Sequence, residues 1–292
     1  MPELPEVETV RRDLNQHLIG QCFLKVDIYN FKNIAPSAIF LAENLINLKI
    51  KEISRRGKLL IFNFYKSDLK LLVHLKMTGQ LIYQDENSIL AGGHSLSESS
   101  INESIGGDLP NRFTRVVFTL SSSKLYYNDL RKFGYFKLIK EEELNRILKI
   151  AYGPEPADKE FNDKFFISLL KRHKTSIKAL LLKQEAIAGL GNIYVDEALF
   201  SANIKPSRIA NTIKKAEAIK LRKAIIRIIK KAIEMRGTTF SNYVDGKGKK
   251  GNFSDYLKVF NRQNQNCFIC KEKIEKVKLA GRGTHYCPKC QK

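Results

Sequence analysis

Long apolar runs are missing from this 292-residue sequence: no stretch of about 18 consecutive apolar residues occurs, so no transmembrane helix is expected. The opening MPELPEVETVRRDL carries four acids and no apolar core, which does not read as a secretory signal, and a cytoplasmic protein is expected. Cysteine is scarce outside the last 26 residues, where four of the five cluster; Cys22, alone in an apolar stretch, is expected in the core. Acidic residues are scarce in the second half. Residues 151–292 hold 30 Lys and Arg against 13 acids, whereas residues 1–150 hold 21 against 17, so most of the net charge of +21 lies in the second half. Such polarity points to a polyanionic partner, either nucleic acid or an anionic membrane surface. A lysine-rich proteome would raise the total but not account for the asymmetry.

What is present reads as two domains and a small module. Residues 4–19 form an amphipathic pattern, with Pro5 suited to a first helical turn, Val7, Val10, Leu14 and Leu18 on one face, and Gly20 suited to the C-terminal end. From Cys22 to about Ile139 short alternating runs follow (CFLKVDIYN, LKIKEISRR, KLLIFNF, LKLLVHL, RVVFTL, KLYYN), expected as an antiparallel sandwich or barrel. IAPSAIFLAENLIN interrupts them as a helix. Residues 85–110 are rich in Ser, Gly, Asn and acids and are expected as a mobile surface insertion. Beyond about residue 141 the periodicity becomes helical after a Pro-containing hinge, and the last helix ends at Gly237 with a Lys/Arg face that solvation alone could explain.

The cysteines Cys267-x2-Cys270 and Cys287-x2-Cys290 have the spacing of a four-thiolate zinc site, each turn aiming two sulfurs at one point. Disulfides are the alternative and fit a cytosolic chain poorly. At the other end, the small residue after Met1 permits removal of the initiator, which would expose the amine of Pro2. An α-amine with pKa near neutrality is a competent nucleophile toward a sugar C1′, and such chemistry needs a carboxylic acid nearby to move protons. Glu3 and Glu6 stand beside it on the first helical turn. Helix-dipole complementation is the plainer explanation of both acids.

MPELPEVETVRR resembles the N-terminal signature of the formamidopyrimidine-DNA glycosylase family, which also includes endonuclease VIII-like enzymes. The similarity continues through RRGKLL, HLKMTG, DLRKFG, GPEP, AGLGNIYVDEALF, GTTFSNYV and the terminal cysteine pairs, covering nearly the whole chain apart from residues 85–110. PELPEV resembles the branch acting on oxidised purines. The resemblance implies an α+β multidomain fold: an N-terminal catalytic β-sandwich with leading helix (1–140), a hinge (141–160), a helical helix–two-turn–helix DNA-binding domain with recognition loop (161–256), and a zinc ribbon (257–292). It implies one structural zinc on Cys267, Cys270, Cys287 and Cys290, and a monomer binding damaged double-stranded DNA in a basic cleft.

Residue by residue, the resemblance assigns Pro2 to attack on C1′, Glu3 to general acid/base work in ring opening, Glu6 to support of that site, and Lys58 to a phosphate contact assisting catalysis. Without it, Lys58 reads as a strand-end surface lysine. Arg282, between the cysteine pairs, matches the zinc-finger arginine that bridges phosphates flanking the lesion. Base extrusion leaves a hole that side chains must fill. Met77, Arg131 and Phe133 match the family's void-filling trio, with Arg131 facing the orphaned cytosine. Asn192, opening a helix after the Gly189–Gly191 turn, suits a phosphate, Lys174 is a further phosphate candidate, and Lys247 matches the lysine of the recognition loop. One departure is visible: where relatives carry a K-H-x-H-like segment, this chain has Phe113 and Arg115, so imidazole chemistry is not expected there, though Arg115 could hold a phosphate. The expected activity is a bifunctional glycosylase/lyase removing 8-oxoguanine and formamidopyrimidines, with β- then δ-elimination. The rivals are an enzyme for oxidised pyrimidines and a non-catalytic zinc-ribbon DNA-binding protein.

Overall fold

The computed structural model describes residues 2–93, 101–238 and 253–292. The chain divides into two compact units, Met1–Leu148 with Ile233–Asn252, and Lys149–Ala232 with Phe253–Lys292. These units cut the chain differently from the expected domains, because its contacts return residues after Ala232 to the first unit and the ribbon to the second.

The first unit opens with α1 (Leu4–Leu18), whose buried positions Val7, Val10, Leu14 and Leu18 face the core as the heptad-like spacing dictates. Gly20 follows it at φ +86°, a left-handed conformation that glycine adopts freely. Next come β1 (Phe23–Ile28), β2 (Ile34–Ala35), α2 (Ala38–Leu45, capped by the Ser37 hydroxyl), β3 (Ile50–Arg56), β4 (Leu59–Phe64), β5 (Leu69–His74), β6 (Gly79–Gln84), β7 (Ile89–Gly93), α3 (Ile101–Ile105), β8 (Thr114–Leu120), β9 (Lys124–Asp129) and β10 (Tyr135–Lys140). The strands form two five-stranded sheets, ordered β1-β8-β9-β6-β7 and β2-β10-β5-β4-β3, antiparallel except for the short β2–β10 pair. Their facing sides and α1 share one apolar core containing Phe23, Phe62, Phe118, Tyr127 and Phe136. The rings meet edge-on, Tyr127 to Phe136 at 4.9 Å and Phe23 to Phe118 at 5.5 Å.

Two expectations change here. Residues 85–110 are not a free surface loop where they are described: β7 extends the first sheet, and Ile105 at the end of α3 packs with Ile82, Val117 and Tyr126. The Ile105 carbonyl accepts from the amides of Asn111 and Asn128, both at 3.0 Å. The segment's polar composition hid a few apolar residues spaced to reach one sheet face. Cys22 is half-buried rather than in the core, since it sits in an isolated bridge to Lys49 beside the sheet edge.

Helix α4 (Glu141–Ala151) occupies the first part of the expected hinge. The second unit continues with α5 (Asp163–Lys171), α6 (Ile177–Leu181), α7 (Asn192–Ala202), α8 (Lys215–Glu234, ending in the first unit), and the ribbon hairpin β11 (Glu275–Leu279) and β12 (Arg282–Tyr286). The two residues joining β11 to β12, Ala280 and Gly281, both have positive φ, as a tight type I′ turn requires. The ribbon is anchored to the helices by Asp196 of α7, which accepts from the His285 backbone at 2.8 Å, and by Gln291, which donates to Ile204 at 2.9 Å.

Candidate active site and nucleic-acid contacts

Pro2 is buried immediately before α1, and Glu3 is the helix N-cap. A capping box closes the turn: the Glu3 carboxylate accepts the Glu6 backbone N–H while Glu6 Oε2 accepts from Glu3 N at 2.8 Å. Both carboxyl groups are buried, so they do more than complement a helix end in water. The second oxygen of Glu6 is taken by one residue distant in sequence: Oε1 accepts from Thr238 N at 2.9 Å and from Thr238 Oγ1 at 3.2 Å. Gly237 precedes it at φ +81°, and a Cβ there would lie 2.5 Å from Glu6 Oε1. Glu6 therefore joins the first turn of the chain to the stretch that follows α8.

A second carboxylate organises the same helix. Glu8 receives Arg11 at 2.8 Å, Arg12 at 2.8 Å and Arg55 of β3 at 3.1 Å. Burial opposes its ionisation, but the hydrogen bonds of Arg11 and Arg12 and the charge of Arg55 prevail and hold the carboxyl at about 2. Arg55 also donates to the Gly57 carbonyl at 2.8 Å, at the two-residue turn Gly57–Lys58 between β3 and β4. Lys58 is thereby fixed at a hairpin tip, yet it is only 6 % exposed rather than a solvated surface lysine. His74, which pairs with Leu59 across β4 and β5, has its imidazole pushed down to about 3 by burial and by the charges of Lys76 and Lys58.

The structure brings Met77, Arg131 and Phe133 together. Arg131 Nη1 lies 3.1 Å from Met77 Sδ, and its guanidinium stands 4.6 Å over the Phe133 ring. Met77 and Phe133 are exposed, at 37 % and 50 %, so neither serves as core. Beneath them is a residue that sequence reasoning passed over. Asp129, fully buried at the end of β9, accepts from Thr78 Oγ1, from Arg131 N at 3.2 Å, from Gly134 N at 2.8 Å and from Tyr127 Oη at 3.0 Å. One carboxylate so binds the loop holding Met77 to the loop holding Arg131 and Phe133. The glycines are sterically required: a Cβ on Gly134 would lie 1.7 Å from Tyr127 Oη, and one on Gly79 would lie 2.4 Å from the Leu75 carbonyl.

Arg115 stands on β8. It is buried, with Nε donating to the Asp129 carbonyl at 2.9 Å and Nη1 to the Arg112 carbonyl at 3.0 Å. Its guanidinium braces the Asp129 turn, and β8 turns this position inward.

In the second unit, the loop before α7 is stapled by Gln184, which accepts from Gly189 N at 2.9 Å and donates to the Leu190 carbonyl at 3.0 Å. Gly189 has φ +91°. Gly191 caps α7 without a side chain. The Asn192 amide does not stand free: Nδ2 donates to the Gly283 carbonyl at 2.9 Å, while its buried Oδ1 has no partner among the described residues. Lys178 reaches the same carbonyl at 3.5 Å and forms a fully buried pair with Asp196 at 2.5 Å. Neither Lys178 nor Asp196 was singled out from sequence, yet together they fix the hairpin on which Arg282 is exposed. Lys174 is exposed between α5 and α6. Lys247 and the DGKGKKGN stretch lie outside the described residues.

The four cysteine sulfurs lie within 4.8 Å of one another, with Cys267–Cys290 at 3.9 Å and Cys270–Cys287 at 3.4 Å. Tetrahedral zinc at about 2.3 Å from each sulfur separates the sulfurs by about 3.8 Å, so the donor set and its size fit. One structural zinc belongs here, and four thiolates leave it no open position for water.

The comparisons decide the family. Residues 1–136 match the formamidopyrimidine-DNA glycosylase N-terminal domain, residues 152–244 the H2TH domain of formamidopyrimidine-DNA glycosylase, and residues 265–292 the zinc finger found in FPG and IleRS. This chain belongs to the formamidopyrimidine-DNA glycosylase family. It is 40 % identical over 297 residues to the formamidopyrimidine-DNA glycosylase of Desulforamulus reducens, covering 100 % of this chain and 99 % of that one. It is 39 % identical over 313 residues to the formamidopyrimidine-DNA glycosylase of Prochlorococcus marinus, with 100 % of each covered. Among solved structures it is similar to a Lactococcus lactis FPG variant complexed with Fapy-dG DNA (TM-score 0.86, 34 % identity, 100 % of each chain). It is also similar to the wild-type Lactococcus lactis protein with DNA containing an oxidised pyrimidine (TM-score 0.85, 34 % identity, 100 % of each chain).

Proposed function

We propose that the chain is a base-excision glycosylase and lyase for oxidised purines in double-stranded DNA, acting as a monomer through the Pro2 amine. The observation that carries the reading is the pair of buried carboxylates, Glu3 and Glu6, closed around the turn that follows Pro2. Once Met1 is cleaved, the Pro2 nitrogen attacks C1′ of the lesion nucleotide. The bond from C1′ to the base breaks, the departing base takes a proton, and Glu3 protonates the ring oxygen as the sugar opens to an iminium. Loss of a C2′ proton then expels the 3′ phosphate, and a second elimination expels the 5′ phosphate. Hydrolysis of the iminium releases the sugar remnant and returns the amine.

In this reading Lys58 and Arg282 hold phosphates flanking the lesion, while Lys174 and Asn192 hold the backbone further out. Met77 and Phe133 fill the space left by the extruded base, and Arg131 faces the orphaned cytosine. Asn192 acts through the Gly283 hairpin as well as through its place at the helix start. Zinc shapes the ribbon and takes no part in the bond changes.

Because a Lactococcus lactis relative is solved with oxidised-pyrimidine DNA, the substrate class needs a direct comparison. Borohydride trapping on duplexes carrying 8-oxoguanine opposite cytosine, an oxidised pyrimidine, or no lesion provides it. Strongest trapping on the 8-oxoguanine duplex is expected; trapping confined to the pyrimidine lesion would overturn the substrate assignment, and none at all the catalytic one.

A further inference from the structure

The C-terminal half of α7, the middle of α8, the residues from Phe253 to Lys258 and the first cysteine turn enclose a groove of about 500 Å³. Phe200, Ile228 and Phe253 line it, with Tyr256 and Ile269 at its edge. Tyr256 and Ile269 are large apolar groups left exposed, as is Phe268 beside them. An apolar patch of this kind on a strongly basic chain marks an interaction site more often than a chance exposure.

The rim is cationic. Arg227, Lys231 and Lys258 line the groove, and Arg262 stacks on Phe268 at 3.6 Å. The single hydrogen bond described for the Arg227 side chain runs from Nη2 to Ser201 Oγ at 2.6 Å, which leaves Nε and Nη1 to a ligand. The only acid among the described lining residues is Glu197, and it is turned away from a ligand: buried, it accepts three backbone N–H groups from Lys258, Val259 and Phe260 at 2.8–2.9 Å. Burial raises its pKa against those three donors.

Nucleic acid fits this groove poorly. Bases bind such surfaces by stacking on open ring faces, but Tyr256 is already stacked on Phe253 and carries Lys231 at 5.4 Å. Phe268 likewise carries Lys258 at 4.8 Å as well as Arg262. Phe200 also lies eight residues along α7 from Asn192, about 12 Å from the helix end suited to a phosphate. A side chain inserted into an apolar slot ringed by cations suits an acidic peptide bearing an aliphatic or aromatic anchor. We infer that this groove docks an acidic segment of a partner protein, anchored by one apolar side chain between Phe200, Phe253 and Ile269 and flanked by carboxylates on Arg227 and Lys258.

Fluorescence anisotropy of the full zinc-loaded chain, held on saturating undamaged duplex, tests it. The probe is a short labelled peptide of Asp, Glu, Ser and Gly with one Leu-Phe pair. Saturable binding in the presence of DNA is expected, falling about thirtyfold when Leu-Phe becomes Ser-Ser, the loss expected of a central anchor. The Arg227→Glu/Lys258→Glu double variant and, separately, exposed Ile269→Glu should each weaken binding about tenfold or more, with zinc content and duplex affinity retained. Displacement of the peptide by duplex, equal binding of the Ser-Ser peptide, indifference to both variants, or no binding would each overturn the inference.

Discussion

Glu6 gives one carboxylate oxygen to Glu3 N and the other to Thr238, so it sets the first turn and the residues that follow α8 at once. Substituting Gly237→Ala places a methyl group against Glu6 Oε1 in a left-handed backbone, which costs of order 1–3 kcal/mol and displaces the carboxylate. Single-turnover excision should slow in Gly237→Ala and Glu6→Gln alike, with duplex affinity near that of the parent. Equal rates in parent and Gly237→Ala would contradict the role given to this contact. Glu3→Gln removes the proton donor itself, and a loss of about 10²- to 10⁴-fold in the chemical step is expected, the ordinary yield of general acid catalysis. Sequence showed both acids beside Pro2. It could not show that Glu6 reaches Thr238, because that contact exists only after the chain has folded back on itself. The surroundings of Arg115 were hidden for a related reason: a basic residue in a strand reads the same whether the strand faces it outward or, as here, onto the carbonyls of Asp129 and Arg112.

At the level of elements, the loops after β5 and β9 act as one unit because Asp129 bonds both. Asp129→Asn substitutes a donor where four donors already converge, leaving at least one of them unpaired at about 1–3 kcal/mol. Thermal unfolding should register that loss. Discrimination between cytosine and adenine opposite the lesion should also weaken, since Arg131 loses its fixed backbone; unchanged opposite-base preference would separate Asp129 from that function. The packing of α1 on β3 carries a pH signature. The Glu8 carboxyl, held at about 2, contributes stability that is complete above its ordinary value near 4.5 and lost as pH falls toward 2. His74, held at about 3, is kept neutral by the fold, so the unfolded chain takes up its proton first and stability falls from pH 6.5 downward. Denaturant titrations should therefore show stability declining in two overlapping windows, and His74→Gln should flatten the upper one alone. The motifs HLKMTG and DLRKFG announced these loops plainly. Their shared buried anchor was hidden, since an aspartate at a strand end looks like a turn residue until its four partners are seen. Residues 85–110 misled in the opposite direction: composition spoke for a loop, while Leu90 and Ile105 were enough to pin strand and helix to the sheet.

Across the whole molecule the excess positive charge finds its use on a polyanion, and Lys58, Lys174 and Arg282 are the cations proposed to meet phosphate. Each phosphate neutralised adds about −0.9 to the slope of log affinity against log salt. Three contacts give a slope of about −2.7, and Lys174→Ala or Arg282→Ala should each return about 0.9 of it. A slope near zero would mean that the charge serves some other purpose. Cys287→Ser should release zinc and remove the exposed presentation of Arg282, weakening DNA binding while leaving the first unit folded. The central claim, that the N-terminal nitrogen is the nucleophile, is tested most directly by peptide mapping of the borohydride-trapped complex on an 8-oxoguanine duplex. The account predicts that chains lacking Met1 carry the sugar remnant on the Pro2 nitrogen and that chains retaining Met1 are not trapped. An adduct on Lys58 or another lysine, or trapping of chains that still carry Met1, would contradict it.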